Sequence, residues 1–361
     1  MKFLENVPLA EYTTFKIGGP ARWFCEVKTP EETAEAFDFA HKRNLPTFIL
    51  GGGSNLLVSD RGFNGLVVKV CFKGREIIEE AAEAVKINVA AGEQWDEIVD
   101  WAVKNGWWGL ENLSHIPGSC GAIAVQNVGA YGQEASKVLV SVSVFDTLSR
   151  KLSELANSEC QFGYRSSIFN KQDRGRYVIF SVTLALSKKP VPILQYRDLA
   201  KAFAGKSPSL EEIRQEIIKI RDLKYPFPVK AKNGNAGSFF KNISLGAGEY
   251  KGLISRASEV FGEDQAETLE KKTFKEQNGM FKVPSAALIE LCGLADLSAQ
   301  GAKINHNQPL VIVNESGKAS AEDVLNLAKK VIGTVFQKLA VKLRIEPILL
   351  GFSEEEKRMV E

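Results

Sequence analysis

The stretch Ile116-Pro-Gly-Ser-Cys-Gly-Ala-Ile-Ala-Val-Gln-Asn-Val-Gly-Ala-Tyr-Gly132 sets four glycines and one proline within an otherwise apolar run. Glycine is used where the backbone takes a positive φ or approaches another group closely. Successive amides in such turns suit a phosphate or an anionic ring edge. Gln126 and Asn127 add groups that can read a heterocycle, and Tyr131 offers a flat face. Taken alone, the stretch is either a ligand-binding loop or a buried structural loop of tight turns.

A second glycine-rich loop follows a predicted α/β unit nearer the N-terminus. The pattern predicts a strand over Arg22–Val27, a helix capped by Thr29 and a buried strand over Thr47–Leu50. Gly51-Gly-Gly-Ser-Asn55 comes directly after that strand. The loop is not a Rossmann fingerprint, because the third glycine of G-x-G-x-x-G would fall at Leu56 and no helical pattern follows. It either binds a pyrophosphate through its amides or forms a plain hairpin turn.

Composition limits the class of protein. A chain of 361 residues predicts two or three domains. The net charge is +2 with scattered basic residues, which gives no electrostatic footprint for nucleic acid. The short basic patch Lys224–Lys232 is a local anion site or a solvated loop. Five widely spaced cysteines without a Cys-x-x-Cys pair indicate a reducing compartment, with no disulfide framework and no structural zinc.

Metal, export and membrane signals are also weak in this sequence. The three histidines lie far apart, so no histidine-based metal site is expected. Glu5 and Pro8 fall where a signal peptide needs its apolar core. No apolar run approaches the ~20 residues of a membrane span. We therefore expect a cytoplasmic protein with no metal and no membrane segment.

The rest of the chain predicts an alternation of helices and strands. Residues 1–20 read as an irregular lead-in, and residues 244–283 read as surface helices. The pattern predicts an amphipathic helix over Gln94–Asn105, and the clearest helical periodicity follows Ser320. The remaining predicted elements are strands over Leu56–Val58, Leu66–Val70, Lys86–Ala90, Val138–Phe145, Tyr177–Leu186, Leu310–Val313 and Val341–Glu346, and helices that begin at Ser209 and Ala286.

Three polar residues have both a chemical and a structural interpretation. Arg165, in Phe162-Gly-Tyr-Arg-Ser-Ser167, either grips a carboxylate with two hydrogen bonds or pins a loop. Ser238 lies in Asn233-Gly-Asn-Ala-Gly-Ser-Phe-Phe-Lys-Asn242, where a structural turn explains the glycines better than it explains the polar groups. Glu346 ends an alternating strand, and from the residues alone a solvated face is the favoured interpretation.

Six segments occur in one order along nearly the whole chain and together resemble the UDP-N-acetylenolpyruvoylglucosamine reductase (MurB) family, flavoenzymes that complete UDP-N-acetylmuramate for peptidoglycan. The segment around Tyr196 and the long stretch after Asn242 resemble the family's type I. The six segments are Tyr12-Thr-Thr-Phe15, Leu50-Gly-Gly-Gly-Ser-Asn55, Ile116-Pro-Gly118 with Gln126-Asn-Val-Gly-Ala-Tyr-Gly132, Phe162-Gly-Tyr-Arg-Ser-Ser-Ile-Phe169, Gly234-Asn-Ala-Gly-Ser-Phe-Phe-Lys-Asn242 and Arg344-Ile-Glu-Pro347.

The resemblance implies an α+β chain with the FAD-binding fold of the vanillyl-alcohol oxidase and p-cresol methylhydroxylase type, plus an additional α+β substrate-binding domain. The implied boundaries are residues 1–72, completed by 340–361, for the first FAD-binding subdomain. Residues 73–222 form the second FAD-binding subdomain, and residues 223–339 form the substrate-binding domain.

The resemblance also implies the cofactors and the site. NADPH reduces FAD, and the reduced flavin then passes hydride to the enolpyruvyl group of a UDP-sugar. Arg165, Ser238 and Glu346 are the implied catalytic residues: Arg165 stabilises the enolate, Ser238 protonates it, and Glu346 orients the site or donates to the carboxylate. The implied substrate contacts are Tyr131, Tyr196, Arg221, Lys224 and Asn242. The implied cofactor contacts are Gly51, Gly52, Gly53, Ser54, Asn55, Ile116, Pro117, Gly118, Ser119, Gly121, Ala122, Gln126, Asn127, Gly129, Ala130 and Gly132.

The sequence departs from the family pattern in two places. Ala122-Ile-Ala-Val125 stands where relatives often carry a small polar residue or proline, so only backbone contacts to the flavin are expected there. Asn305-His-Asn-Gln308 also differs from the family, which leaves Gln308 a weak substrate role. The alternatives are another FAD oxidoreductase of the same fold or a non-catalytic UDP-sugar-binding module. We expect a monomer that binds a UDP-sugar and NADPH, and does not bind nucleic acid or a membrane.

Overall fold

The computed structural model describes residues 1–224, 227, 233–276 and 278–360. The predicted basic patch Lys224–Lys232 therefore lies largely outside the described residues. The chain divides into two compact units. The first unit comprises residues 1–7, 21–53 and 64–227, and the second comprises residues 8–20, 54–63 and 228–361. The three domain boundaries implied by the resemblance remain a prediction.

The strands, in chain order, are as follows. They are β1 Leu4–Pro8, β2 Pro20–Val27, β3 Thr47–Leu50, β4 Leu56–Val58, β5 Phe63–Val70, β6 Arg75–Glu80, β7 Ala84–Ala90, β8 Gly129–Ala130, β9 Gln133–Glu134, β10 Leu139–Asp146, β11 Lys151–Ala156, β12 Tyr177–Ser187, β13 Gly234–Asn235, β14 Ile243–Leu245, β15 Phe274–Lys275, β16 Phe281–Val283, β17 Ser298–Ala299, β18 Ala302–Ile304, β19 Ile312–Asn314 and β20 Ile348–Leu350.

The α-helices are α1 Pro30–Lys42, α2 Trp95–Lys104, α3 Cys120–Val125, α4 Arg197–Ala202, α5 Leu210–Lys224, α6 Ala247–Phe261, α7 Glu263–Lys272, α8 Ser285–Leu291, α9 Ala321–Leu339 and α10 Glu354–Arg358. Short 3-10 turns cover Leu9–Tyr12, Glu111–Leu113, Ala135–Lys137 and Ile168–Asn170. In the described part of the chain, no helix has both the length and the apolar character that crossing a membrane requires.

The first unit is built on two larger sheets. One has the strand order β1-β2-β5-β3, in which β3 and β5 are parallel and Leu50 lies opposite Lys69. The other has the order β11-β10-β12-β7-β6 and is antiparallel. Helix α2 buries its apolar stripe in the core of this unit, and the Trp95 indole donates to the Leu113 carbonyl over 3.0 Å. Because the central strands β5, β10 and β12 and helix α2 carry most of the buried side chains, the loops at their ends are held in place.

The second unit contains smaller sheets around the long helix α9. Their orders are β13-β19-β18-β17 and β14-β16-β15, and β20 pairs with β4 in parallel. Ser320 caps α9 through the Asp323 amide. The carboxylate of Asp60 accepts from the amides of Ala321 and Glu322 over 2.9 and 3.2 Å. These contacts satisfy amides that a helix start leaves open, so α9 is anchored to the segment that follows β4.

Most elements confirm the sequence prediction, and four differ. Residues 244–283 contain the helices α6 and α7, as predicted, but also the short strands β15 and β16. Residues 1–20 are not irregular throughout, because β1 is hydrogen-bonded to β2 in a sheet. The strand predicted from Leu310 begins at Ile312. Val341–Glu346 is extended and its Leu343 is buried between exposed neighbours, but the described residues give it a single bridge, from Ile345 to Phe240. The predicted alternation is therefore correct, whereas the predicted strand is wrong, because one bridge to a described residue does not make a ladder.

Candidate active site

Two glycine loops approach each other within the first unit. A Cβ built on Gly52 would lie 2.5 Å from the Gly118 Cα and 2.9 Å from the Ser119 nitrogen. A Cβ on Gly51 would lie 2.9 Å from Ser119 Oγ. No side chain fits at the Gly52 position, because real Cβ atoms do not approach backbone this closely. The loop after β3 therefore packs directly on the loop before α3.

The Gly51–Gly53 loop leaves amide donors available. No acceptor among the described residues binds the backbone amides of Gly52 or Gly53. Unpaired amides at a close backbone crossing suit an anionic group, and buried amides elsewhere in proteins are almost always paired. The donors of this loop therefore fit the diphosphate of a dinucleotide. Ser54 and Asn55, the last two residues of the predicted loop, belong to the second unit.

Asn127 holds residues 126–132, the second half of the glycine-rich stretch that begins at Ile116. This residue is buried with a φ of 45°. Its side-chain amide donates to Glu134 Oε2 over 3.0 Å and to the Gly163 carbonyl over 3.1 Å, and its oxygen accepts from the Ser136 amide. The Asn127 side chain therefore braces the loop that carries Gly129–Gly132.

Arg165 is held against that same loop. Its Nη2 donates to the Gly129 carbonyl over 2.9 Å, and its own carbonyl accepts from Asn170 Nδ2 over 3.1 Å. The backbone of Arg165 has a φ of 52°, a conformation that costs energy for a side chain of this size. The guanidinium lies 5.3 Å from the ring of Tyr164. The structure thus places the predicted arginine beside the predicted flavin loop.

Three predicted substrate residues form one group in the first unit. The rings of Tyr131 and Tyr196 meet edge to face at 5.2 Å, and the Lys224 ammonium lies 5.7 Å from the Tyr131 ring. Lys224 is also ion-paired with Asp198 over 2.8 Å. Arg221 is buried, and its Nε donates to the His115 carbonyl over 2.7 Å. That contact fixes the residue immediately before Ile116.

Asn112, which was not predicted from the sequence, joins the segment that carries Tyr131 to the segment that leads to Tyr196. Its amide donates to the Tyr131 carbonyl over 2.7 Å and to the Ile193 carbonyl over 2.8 Å. It lies in the Glu111–Leu113 turn and is almost fully buried. The only signal in the sequence was an adjacent Glu-Asn pair in an apolar surrounding. Periodicity does not show which distant carbonyls such an amide will reach.

Glu111 is a buried carboxyl next to Asn112. Its Oε2 accepts from the Gly109 amide over 2.7 Å. Among the described residues, Glu111 Oε1 and Asn112 Oδ1 are buried without a hydrogen-bond partner. Burial raises the pKa of the Glu111 carboxyl above its ordinary value, although nearby backbone amides oppose the change. The protonated form is therefore favoured relative to an exposed glutamate.

The second unit brings the segment of Ser238 to Glu346. The Glu346 amide donates to the Phe239 carbonyl over 2.9 Å, and the Lys241 amide donates to the Arg344 carbonyl over 2.8 Å. The Asn55 side-chain amide donates to the Glu346 carbonyl over 3.3 Å. Ser238 itself is half-buried between Gly237 and the buried Phe239. Residues predicted from three distant motifs are thus neighbours in this unit.

Two further motifs have structural roles in the second unit. Thr14 Oγ1 donates to the Asn235 carbonyl over 2.7 Å, and the Asn235 amide donates to the Thr14 carbonyl over 3.0 Å. The Asn242 side-chain oxygen accepts from the Ser285 amide over 3.2 Å. The Tyr12–Phe15 motif therefore supports the start of the Ser238 segment, and Asn242 holds the start of α8.

Comparisons with known proteins agree with the sequence resemblance. The family model described as an FAD binding domain matches residues 21–149. The model described as the UDP-N-acetylenolpyruvoylglucosamine reductase C-terminal domain matches residues 228–350. These matches confirm the predicted FAD-binding fold of the vanillyl-alcohol oxidase and p-cresol methylhydroxylase type.

Relatives of similar length carry the same reductase name. The chain is 35% identical to the UDP-N-acetylenolpyruvoylglucosamine reductase of Paraburkholderia phymatum, over 97% of this chain and 98% of the relative. It is 38% identical to that of Neisseria meningitidis serogroup B, over 94% and 95% of the two chains. The solved reductase from Thermus caldophilus has the same fold, with a TM-score of 0.65 at 24% identity, over 97% and 98% of the two chains.

Proposed function

The chain belongs to the UDP-N-acetylenolpyruvoylglucosamine reductase family, and on that basis we propose that it reduces the enolpyruvyl group of UDP-N-acetylglucosamine enolpyruvate to give UDP-N-acetylmuramate. The observation that carries the proposal within the structure is the contact between the Ser238 segment and Glu346. Its backbone hydrogen bonds bring the segment that carries the Ser238 hydroxyl next to the residue that carries the Glu346 carboxyl, although the two lie far apart in the sequence.

FAD fits the donors of the first unit. The unpaired amides of Gly52 and Gly53 can donate to an anionic diphosphate, and the backbone of Gly118 and Ser119 lies against Gly52. The glycine-rich segment around Gly129, braced by Asn127, supplies further backbone contacts for the isoalloxazine and ribityl chain. Bound FAD supplies two-electron transfer from NADPH to the substrate.

Arg165 is proposed to stabilise the charge that forms on the substrate. Reduction of the enolpyruvyl double bond at its CH₂ carbon leaves negative charge on the neighbouring carbon and in its carboxylate. A planar and permanently charged guanidinium matches a carboxylate that gains charge in the transition state. The hydrogen bond to Gly129 restricts the guanidinium before substrate arrives, and a restricted group loses less entropy on binding.

Ser238 is proposed to protonate that neighbouring carbon, and Glu346 to orient the site. A serine hydroxyl is a weak acid, but an enolate carbon is a strong base, so transfer is favourable when the hydroxyl is held close. The buried Phe239 and the backbone contacts to the 344–346 segment hold the serine's neighbours in place. Tyr131, Tyr196, Arg221, Lys224 and Asn242 are proposed to bind the UDP-sugar, with the two cations suited to its diphosphate.

The proposal includes the cellular setting. NADPH is the proposed reductant, and the proposed product is a precursor of peptidoglycan, which links the chain to cell wall biogenesis, cell shape and cell division. Because UDP-sugars and NADPH are cytoplasmic metabolites, the cytoplasm is the proposed location.

An absorption spectrum of the purified protein tests the proposal. We expect a flavin spectrum that bleaches with NADPH and returns when the enolpyruvyl UDP-sugar is added under anaerobic conditions, with UDP-N-acetylmuramate recovered by chromatography. NADH in place of NADPH tests the choice of reductant. UDP-N-acetylglucosamine, which lacks the enolpyruvyl group, is the matched control and leaves the flavin reduced.

The same experiment separates the alternatives. A colourless protein that takes up no added FAD overturns the proposal and favours a UDP-sugar-binding module. A flavin that NADPH bleaches and the enolpyruvyl UDP-sugar does not reoxidise favours another FAD oxidoreductase of this fold.

A further inference from the structure

Lys69 interrupts the apolar interior of β5. Its neighbours Val68 and Val70 are buried, and Lys69 itself is half-buried. Removing an ammonium from water costs free energy, so a lysine in a buried strand is expected to have a compensating contact. In the parallel β3–β5 pair, Lys69 lies opposite Leu50, and Leu50 is the residue directly before the Gly51–Gly53 loop. This register places the Lys69 side chain close enough to contact the loop.

The Lys69 ammonium donates to the carbonyl oxygen of Gly51. No carboxylate in the described residues forms an ion pair with it, although the negative charge of Glu26 acts on it from a distance. Burial lowers the pKa of Lys69 from its ordinary value. The Gly51–Gly53 loop is therefore contacted by the ammonium of Lys69, which has no ion-pair partner among the described residues.

The orientation of one peptide follows from this contact. In a trans peptide the C=O and N–H groups point in opposite directions, and the described residues contain no cis bond. Because the Gly51 carbonyl points at Lys69, the amide of the same peptide, which belongs to Gly52, points away from it. That amide binds no acceptor among the described residues. A cation on the carbonyl also polarises the peptide and makes its N–H a stronger donor.

We propose that Lys69 is a positioning residue for the dinucleotide: it holds the Gly51–Gly52 peptide so that the Gly52 amide faces the diphosphate of FAD. Its positive charge adds attraction for that anion. The inference rests on the proposed function, because FAD is the ligand that the loop is proposed to bind.

The test is the affinity of the apoprotein for FAD, measured by flavin fluorescence quenching. We expect Lys69→Met, which keeps the length of the side chain, to weaken FAD binding about tenfold or more, as expected for a lost charge-assisted hydrogen bond. The salt dependence of the dissociation constant should also flatten, because a charge has been removed. Lys69→Gln keeps an N–H donor without the charge and should recover part of the affinity.

Lys86→Met is the matched control. Lys86 lies on β7 of the same unit and pairs with Glu79 over 2.6 Å, so its removal should leave FAD affinity unchanged. Urea unfolding of each apoprotein separates a positioning role from general destabilisation. If Lys69→Met does not fold, Lys69→Gln carries the test, with a loss in FAD affinity expected relative to the wild type.

The outcomes are distinct. An FAD affinity of the Lys69 variants within twofold of the wild type, or a loss that Lys86→Met shares equally, overturns the role of Lys69 and leaves the proposed function intact. A wild-type protein that takes up no FAD overturns the proposed function, and the role of Lys69 with it.

Discussion

The backbone amide of Glu346 donates to the carbonyl oxygen of Phe239 across 2.9 Å, which ties the residue after Ser238 to the C-terminal segment. The two segments are joined again at the bridge between Phe240 and Ile345, the neighbours of these residues. Two adjacent backbone contacts fix the direction of both segments. A change of side chain at Ser238 should therefore alter its chemistry with little effect on the backbone around it.

Ser238→Ala should slow protonation more than it slows reduction of the substrate. Removing a positioned proton donor costs about 10²–10⁴-fold in rate. Rapid mixing of the NADPH-reduced variant with the enolpyruvyl UDP-sugar measures flavin reoxidation, and chromatography measures product. Ser244→Ala, at an exposed serine on β14, is the control. Wild-type reoxidation together with normal product formation would remove Ser238 from the reaction.

Arg165→Lys should lower kcat about 10²-fold or more while FAD stays bound, because a lysine cannot present the planar fork that stabilises a developing carboxylate. The flavin spectrum checks cofactor content, and steady-state kinetics give kcat. Arg174→Lys, at an exposed arginine of the same unit, should behave like the wild type. An unchanged kcat in Arg165→Lys would show that the guanidinium only pins the Gly129 loop.

Elements with local signals were predictable from the sequence. Thr29 followed by Pro30 predicts the start of α1, and the Thr29 side chain does accept from the Glu32 amide. Contacts between distant residues were not predictable from local signals. Asn55 and Glu346, for example, are hydrogen-bonded but lie 291 positions apart in the sequence. The resemblance to the family's motifs, rather than periodicity, predicted that such residues belong to one site. Lys69 and Asn112 carried no motif, and only their buried hydrogen bonds reveal them.

Asn112→Leu should raise the KM for the UDP-sugar more than it lowers kcat. The change removes both donors to the Tyr131 and Ile193 carbonyls, so the segments that carry Tyr131 and Tyr196 lose their common anchor. Each abandoned buried carbonyl costs about 1–3 kcal/mol.

Asn88→Leu controls for lost stability, because Asn88 also donates to two acceptors, Ser181 and Thr183, in a sheet of the same unit. Both variants should unfold at lower urea, and only Asn112→Leu should raise KM. Equal kinetic effects in the two variants would contradict a positioning role for Asn112.

Glu111→Gln should gain stability relative to the wild type as pH rises. Burial raises the folded-state pKa of Glu111, so between the unfolded value of about 4.3 and the folded value the native state holds more protons. Wild-type stability therefore falls as pH rises through that window. Urea unfolding at about pH 4 and pH 8 measures the difference. Glu76→Gln on the exposed β6 is the control, and a difference between Glu111→Gln and the wild type that does not change with pH would contradict the raised pKa.

Gly52→Ala should separate the two glycine loops. The added Cβ would lie 2.5 Å from the Gly118 Cα, so one loop must move, which costs about 1–3 kcal/mol of stability. FAD retained after gel filtration should fall, because the amides of both loops leave their positions. Gly333→Ala is the opposite control: Gly333 lies inside α9, and no described atom beyond the backbone of that helix comes within 4 Å of an added Cβ. The substitution should therefore stabilise the protein by roughly 0.5–1 kcal/mol. Wild-type FAD retention and wild-type stability in Gly52→Ala would show that the close crossing of the loops at Gly118 is not needed for the cofactor.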